Sequence, residues 1–506
     1  MRKRKWEGKL AVLVAFVITG VAILCLARVS VVSSGVVQGT DIVDQFRISV
    51  DPNQLNDYGL SYPMTYQFSI ISGSSNLKAY KKYTEFNEWV QIEERTSSDF
   101  FNGEEAARFD YNSDKAYISI AFNESSEEIF LRIVDGSGNP VATYDKITRY
   151  YDNRDAAVVF SADDWCGGYL IDTAFQQACD MFTSKKIWLS VAVITEGYGD
   201  DYIWGPQPPP IWSHIQEKID AGYIEVVSHS RIHPSDLPYS DYDSEVGGSK
   251  EDIINNLDLP SLYKRGVQEY LWGWTAPHDH TDSSLRAKLG EYKYMSDVAG
   301  SFSDQEGDFP GWDSANGLYG IWERWSYIEW QTASSLNSEF DRRIRAGKIY
   351  HIGLHPWALP YYPRSTVDQH TDYVQGRKNL WYAGHGSLMI YHYVEDRNIV
   401  DVEGEYKTGS LGETYIYPNP CYLSKSETIK IVNLPPNVDK IYFYTMSGEL
   451  VRLLEKGDGI EEGVRSASAV WNCENNEGQK VARGIYIYFI TTSGGETKTG
   501  KIAFMK

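Results

Sequence analysis

The sequence predicts a multidomain chain in which a (β/α) region lies between two β-rich regions. Three observations carry this. Strand-like and helix-like runs alternate between about residues 151 and 400, as a (β/α) fold requires. Residues 36–150 consist of short alternating apolar runs broken by turn clusters, and residues 411–506 return to short strands after a Pro/Asn-rich opening. A length of 506 residues is enough for about three domains, each with its own core.

Taken in order, the chain opens with Arg2, Lys3, Arg4, Lys5 and Lys9 ahead of an apolar run from Leu10 to about Ala27. A positive segment followed by such a run reads as a signal peptide or a membrane anchor over residues 1–35, and either reading puts the rest of the chain outside the cytoplasm. Residues 36–150 carry the runs Met64 to Ile71, Ala116 to Phe122 and Ile129 to Val134, separated by turns such as Ser72-Gly73-Ser74-Ser75 and Asp135-Gly136-Ser137-Gly138. Strands at this spacing suggest a β-sandwich, read as a spacer or a carbohydrate-binding accessory domain. Within 151–400 the pattern gives strands at Ile187 to Ile194 and Tyr270 to Trp274, and helices at Ile211 to Ala221, Lys250 to Arg265, Ser283 to Glu291 and Leu336 to Ala346.

Composition excludes some classes. A net charge of −21 leaves no basic footprint for nucleic acid. Of the five cysteines, Cys166 and Cys179 bracket a helical run that holds them about 20 Å apart, too far to bridge. Cys421 and Cys473 fall in one domain and could pair.

The chemistry concentrates in two stretches. The apolar run Tyr223 to Val227 leads into His229-Ser230-Arg231-Ile232-His233-Pro234, and Ala156 to Phe160 leads through Ser161-Ala162 into Asp163-Asp164. Two imidazoles and one carboxylate can hold a divalent cation and leave positions open for water and substrate. Successive side chains of an extended strand point to opposite sides, so the two aspartates can take different roles. Pro234 keeps His233 out of a continuing helix, which places the second histidine on a loop at a strand end.

With these residues in view, 151–400 resembles a polysaccharide deacetylase of the NodB-homology type, a carbohydrate esterase family with a distorted (β/α) barrel. Ser161-Ala162-Asp163-Asp164-Trp165 resembles the family's first motif, and His229, Ser230 and His233 match its second. Thr275-Ala276-Pro277-His278 matches the third in part, Ile349 to His355 resembles the last, and Asp297 and Arg324 are the nearest candidates for the fourth. The resemblance implies that Asp164, His229 and His233 bind a divalent metal, with Zn2+ the first choice. It also implies that Asp163 is the general base, that His355 is the general acid, and that the His278 backbone N–H helps to hold the oxyanion. Three departures stand out: Thr275 in place of the arginine that orients the base, Gly353 in place of a leucine, and Ala162 in place of an aromatic residue.

The sequence also holds 15 Trp and 37 Tyr. Trp165 and Trp274, which adjoin the motifs, are expected to contact sugar along with Pro277 and His278. His351 is expected in the core, and His280 and His370 are open as cleft residues. Residues 411–506, with Tyr417-Pro418-Asn419-Pro420, Ser447-Gly448-Glu449, Trp471-Asn472 and Gly484 to Tyr488, resemble the Ig-like C-terminal sorting domains of type IX secretion, which implies secretion machinery as a partner. The combined expectation is an exported, secreted or cell-surface hydrolase of non-peptide carbon–nitrogen bonds, removing acetyl groups from a chitin-, peptidoglycan- or poly-N-acetylglucosamine-like polysaccharide. An O-acetyl polysaccharide esterase and an inactive glycan-binding or adhesive surface protein are the alternatives.

Overall fold

The computed structural model describes residues 42–84, 87–124, 126–198, 205–299, 307–358, 364–405, 410–412, 414–423, 428–461 and 467–505. The leader lies outside the described residues. Among the described residues no helix is long and apolar enough to cross a membrane.

The strand Ala156–Trp165 organises the central region, and all ten of its residues are buried. That is the near-continuous apolar run of a parallel strand covered on both faces. It pairs in parallel with Leu189–Val193 on one side and Ile349–Leu354 on the other, and Leu380–Tyr382 pairs with its first residues. Ile224–Ser228 continues the sheet beyond Leu189–Val193. The ring then closes through short parallel contacts: Ser228 with Trp274, Thr275 with Val298, Val298 with Trp322, and Tyr327 with Gly353. Helices Tyr169–Ser184, Trp212–Ala221, Ser249–Asn256, Ser283–Glu291, Ala333–Arg345, Arg364–Val374 and His385–Arg397 fall between or after these segments. The helix expected over Lys250 to Arg265 stops at Asn256, ahead of Leu257-Asp258-Leu259-Pro260, where the proline disfavours helical backbone before it. The strand expected at Tyr270 to Trp274 is reduced to the single bridge at Trp274.

The N-terminal β region is a pair of antiparallel sheets. One runs in the order Ala106–Asp110, Lys115–Ile120, Met64–Ile70, Ala142–Ile147. The other runs Val400–Glu405, Gln45–Val50, Glu128–Val134, Lys78–Lys82, Val90–Gln91. Phe46 of one sheet meets Phe68 of the other with ring centroids 4.8 Å apart. The edge strand Val400–Glu405 arrives only after the barrel is complete, in register from Val50 opposite Val400 to Gln45 opposite Glu405. The barrel is therefore an insertion between two strands of this pair of sheets.

One apolar core runs through both bodies. The Trp381 indole N–H donates to the Tyr62 hydroxyl at 2.9 Å, the Trp272 indole N–H donates to the Tyr58 carbonyl at 3.0 Å, and the Tyr391 hydroxyl donates to the Thr148 carbonyl at 3.1 Å. Each satisfies a polar atom that burial would otherwise strand.

Residues 415–505 build a separate core around Trp471, which stacks on Phe443 at 3.9 Å. Nine strands in one hydrogen-bonded path, from Tyr415–Tyr417 to Cys421–Tyr422, surround it. The Cys421 and Cys473 side chains meet inside it as thiols, not as a disulfide.

Candidate active site

Asp163 and Asp164 sit at the C-terminal end of the central strand, but not as a plain extended pair. Ala162 pairs with Val191 and Trp165 with Val193, so three steps on one strand oppose two on the other. The extra residue makes a bulge, and Asp164 takes φ 83. The two carboxylates do separate, and the bulge rather than simple strand alternation separates them.

Four more non-glycine residues with positive φ gather around this point: Ser230, His233, His278 and Asp279. Such backbone costs about 1–2 kcal/mol per residue and persists where surrounding contacts over-determine it. For the His229–His233 loop those contacts are visible. The His233 N–H donates to the Ser230 hydroxyl at 3.0 Å, and Glu245 accepts the Arg231 and Ile232 N–H groups at 2.9 and 3.1 Å. The Arg231 guanidinium is in turn clamped by both oxygens of Asp252.

Asp164, His229 and His233 present ligand atoms that all lie within 4.8 Å of one another, and all three residues are buried. Asp164 Oδ1 lies 3.1 Å from His229 Nε2 and 3.3 Å from His233 Nε2. His229 Nδ1 donates to the Thr275 carbonyl at 2.8 Å, which turns Nε2 toward Asp164. His229 thus has an acceptor at each nitrogen, a fully buried arrangement that calls for positive charge. Burial opposes the charge on Asp164, yet hydrogen bonds from both imidazoles hold its carboxyl well below the usual range. Two imidazoles whose Nε2 atoms converge on one carboxylate, with an outer carbonyl fixing one tautomer, are a donor set suited to a divalent cation.

Asp163 faces different partners. Its Oδ2 accepts the Arg324 guanidinium at 2.5 Å and the Tyr327 hydroxyl at 3.2 Å, while its buried Oδ1 has no hydrogen-bond partner among the described residues. Burial opposes ionisation here too, and the charges of Arg324, His229 and His355 outweigh it, so the carboxyl titrates below its ordinary value. Arg324 is 3% exposed and also donates to Asp279 at 2.8 Å and to the Tyr327 hydroxyl at 2.5 Å. A planar fork that spans two carboxylates is arginine chemistry, and it sets the residue-324 cation directly on Asp163. Gly353 leaves room for these side chains, since a Cβ there would lie 2.7 Å from the Tyr327 ring.

His355 follows the strand Ile349–Leu354. Its Nδ1 bonds Glu329 Oε1 at 2.6 Å, and its Nε2 looks toward Asp164 Oδ2 at 3.8 Å. Burial works against the imidazolium, but the Glu329 hydrogen bond and charge, with Asp164 and Asp163, raise its pKa to about 9. The Tyr327 ring stacks on His355 at 4.5 Å while its hydroxyl touches Asp163, so one side chain spans both groups. Neither Glu329 nor Tyr327 was singled out in the sequence, because no periodicity or motif marks them.

The remaining expected positions fall as follows. Trp165 and Trp274 are 0% exposed. Trp165 stacks on Phe175 at 5.0 Å and donates to Asp172, and Trp274 packs on Tyr294, so neither has a face for a sugar. Pro277 is buried, while His278 is half-buried with its ring 4.5 Å from His233. Among the described residues, Trp330, 55% exposed and 4.8 Å from the Tyr327 ring, and half-buried Trp357, whose indole N–H donates to Asp164 Oδ2 at 3.0 Å, reach both the site and solvent. Asp297 is bonded to Thr281, and burial pushes its pKa up to about 6. His351 is a core residue on Ser161, His370 is buried between Tyr350 and Asn337, and His280 is exposed beside His278.

No protein-family model matches the chain, and no curated protein matches it. Among solved structures, one described as a polysaccharide deacetylase of Mycobacterium smegmatis is similar at 16% identity over 49% of this chain and 93% of that one, with a TM-score of 0.36. A polysaccharide deacetylase from Bacillus cereus is similar at 12% identity over 55% of this chain and 94% of that one, TM-score 0.21. PorZ, a surface component of the type-IX secretion system of Porphyromonas gingivalis, is similar at 21% identity over 21% of this chain and 14% of that one, TM-score 0.17. At these TM-scores the likenesses carry no weight for function, and the chemistry rests on the site itself.

Proposed function

We propose that the protein is an exported, metal-dependent deacetylase that hydrolyses acetyl groups, foremost N-acetyl groups, from a polysaccharide. The observation that carries this reading is the convergence of two sets on one strand end. One is the Asp164/His229/His233 donor set; the other is a flanking acid–base pair, Asp163 held by Arg324 and His355 held by Glu329.

In this reading Asp164, His229 and His233 hold the cation, with Zn2+ the first choice. When bound, the cation supplies Lewis-acid polarisation of the acetyl carbonyl and activation of a water. Asp163 accepts the proton of the attacking water at Oδ1, the oxygen left free while Arg324 and Tyr327 fix Oδ2. His355 delivers a proton from Nε2 to the departing nitrogen, and Glu329 holds the imidazolium in the orientation that the transfer needs. The His278 N–H assists at the developing oxyanion. Trp330 and Trp357 provide the stacking surface for the glycan in place of Trp165 and Trp274. The C-terminal domain serves export.

The test is acetate release from acetylated chitooligosaccharide, peptidoglycan and acetylxylan, each with and without chelator. Release from the first two that chelator abolishes supports the reading. Release from acetylxylan alone makes the protein an O-acetyl esterase, and glycan binding without release from any substrate makes it a binding protein.

A further inference from the structure

The segment that follows the strand Leu189–Val193 runs beside the His229–His233 loop and carries a hydroxyl that the reading above leaves unused. Backbone bonds fix its course. The Ile194 N–H donates to the Trp165 carbonyl at 3.0 Å, the Thr195 N–H to the Ser230 carbonyl at 3.3 Å, and the Glu196 N–H to the Arg231 carbonyl at 2.8 Å. The Thr195 hydroxyl donates at 2.7 Å to Asp252, the carboxylate that also clamps Arg231, so one anchor serves both segments. Gly197 then takes φ 85, where a Cβ would strike the Gln207 carbonyl oxygen, and the chain turns to bring Tyr198 against the site.

The Tyr198 ring stands edge-on to His233, with centroids 4.8 Å apart and planes at 64°. Tyr198 is 8% exposed, and its buried hydroxyl has no hydrogen-bond partner among the described residues. Such orphaned groups are few in native proteins, because a buried donor left unmade is costly. Both neighbouring carboxylates are served by other donors. Asp164 Oδ1 faces the two imidazoles and its Oδ2 accepts the Trp357 indole N–H, while Asp163 Oδ2 accepts from Arg324 and Tyr327. Burial, and then the charge of nearby Asp164, press against ionisation of the phenol, so it keeps its proton.

An acceptor and a donor at this centre therefore wait for partners: Asp163 Oδ1 and the Tyr198 hydroxyl. Water, which has protons to give, suits the first. An acetyl carbonyl oxygen, which can only accept, suits the second. We propose that Tyr198 is a further catalytic residue of the deacetylation, its hydroxyl donating a hydrogen bond to the acetyl oxygen and to the oxyanion which that oxygen becomes. This rests on the deacetylase reading and adds a second donor to the His278 N–H. As the water oxygen bonds to the acetyl carbon, the carbonyl π pair moves onto the oxygen that Tyr198 holds. The phenol keeps its proton throughout, and the pair returns as the C–N bond breaks and His355 protonates the nitrogen. A donor already fixed in a buried site needs no reorganisation as the charge grows.

The experiment compares the full chain with Tyr198→Phe, both loaded with Zn2+. The substitution deletes one oxygen and keeps the ring on His233, so metal content and melting temperature are expected at parental values. Calorimetric titration with acetate, an anionic stand-in for the oxyanion, should show binding weakened about tenfold or more, the scale of a lost hydrogen bond to a charged group. In turnover, kcat should fall about 10- to 1,000-fold with KM within about threefold, the pattern of an interaction made in the transition state. Acetate that binds parent and variant equally, or does not bind the parent, overturns the proposal, as does parental kcat in the variant. A variant that loses metal or melts early overturns it too, since the hydroxyl would then hold the loop and not a ligand. If the parent releases acetate from no glycan, the deacetylase reading fails, and the acetate titration still decides whether Tyr198 donates to a bound oxygen.

Discussion

Replacing Arg324 with methionine removes the cation that touches both Asp163 and Asp279 while keeping an unbranched side chain of similar reach. Asp163 is 2% exposed and would be left as a buried carboxylate facing its neighbour Asp164 with only the His229 and His355 charges in support. Asp279, with its side chain 24% exposed, can turn partly to water. Breaking a buried pair from one side costs about 3–5 kcal/mol, and the Asp163 half should carry most of it. For a single core of this size that is a fall in melting temperature of roughly 4–7 °C. The sign with pH follows from the depressed carboxyl of Asp163: its contribution is present above the unfolded value near 3.8 and is lost as pH falls through the folded value. The gap between parent and variant should therefore be full at pH 7 and narrow toward pH 3. Acetate release should fall by at least about 100-fold, because the base is no longer fixed. Arg324→Lys should lie between, keeping charge but losing the fork. Thermal melts and acetate release at matched metal content are the assays. A variant that melts within 1 °C of the parent and turns over at the parental rate would refute the claim that Arg324 fixes Asp163.

Three further outcomes follow from the packing. Trp165→Ala should cost about 3–5 kcal/mol of stability as a core truncation, whereas Trp330→Ala should leave stability within about 0.5 kcal/mol and raise KM; the reverse pattern in melts and kinetics would restore the sugar-contact role to Trp165. A chain ending at residue 410 should fold and keep its activity, while one ending at 399 loses the edge strand Val400–Glu405 and should aggregate or melt early, as size-exclusion and melting profiles would reveal. Buried His385 and His370 have pKa values pushed down to about 4 and about 3, and burial likewise drives His351 well below its ordinary value. The unfolded chain then binds more protons, so stability is full above pH 6.5 and falls on acidification by at most about 1.4 kcal/mol per pH unit for each histidine; His385→Asn should flatten melting curves between pH 6.5 and 4.

The residues that sequence alone made visible are those whose spacing is local. Asp163-Asp164 and His229/His233 each occupy a few consecutive positions at the end of an apolar strand, and His355 closes another, so pattern and chemistry coincide. Arg324 and Glu329 reach the site only because the ring of strands closes through the Tyr327–Gly353 contact, a pairing between segments that no periodicity announces. Trp165 and Trp274 were misplaced for a related reason: adjacency to a motif in sequence says nothing about which side of a strand faces the core, and both indoles pack inward. The return of Val400–Glu405 to the first sheet was equally hidden, because Val-Asp-Val-Glu-Gly-Glu reads as a polar linker until its partner Gln45–Val50 is placed beside it. The bulge at Asp164 adds one residue to the strand and leaves no mark on its apolar pattern.

The central claim is that Asp164, His229 and His233 form a metal centre served by Asp163. Metal content of the purified full chain, measured together with acetate release for the parent, His229→Ala and Asp163→Asn, tests it most directly. The account predicts about one divalent ion per chain in the parent, loss of most metal and all turnover in His229→Ala, and parental metal with turnover reduced by at least about 100-fold in Asp163→Asn. Stoichiometric metal in His229→Ala, or parental turnover in Asp163→Asn, would contradict it.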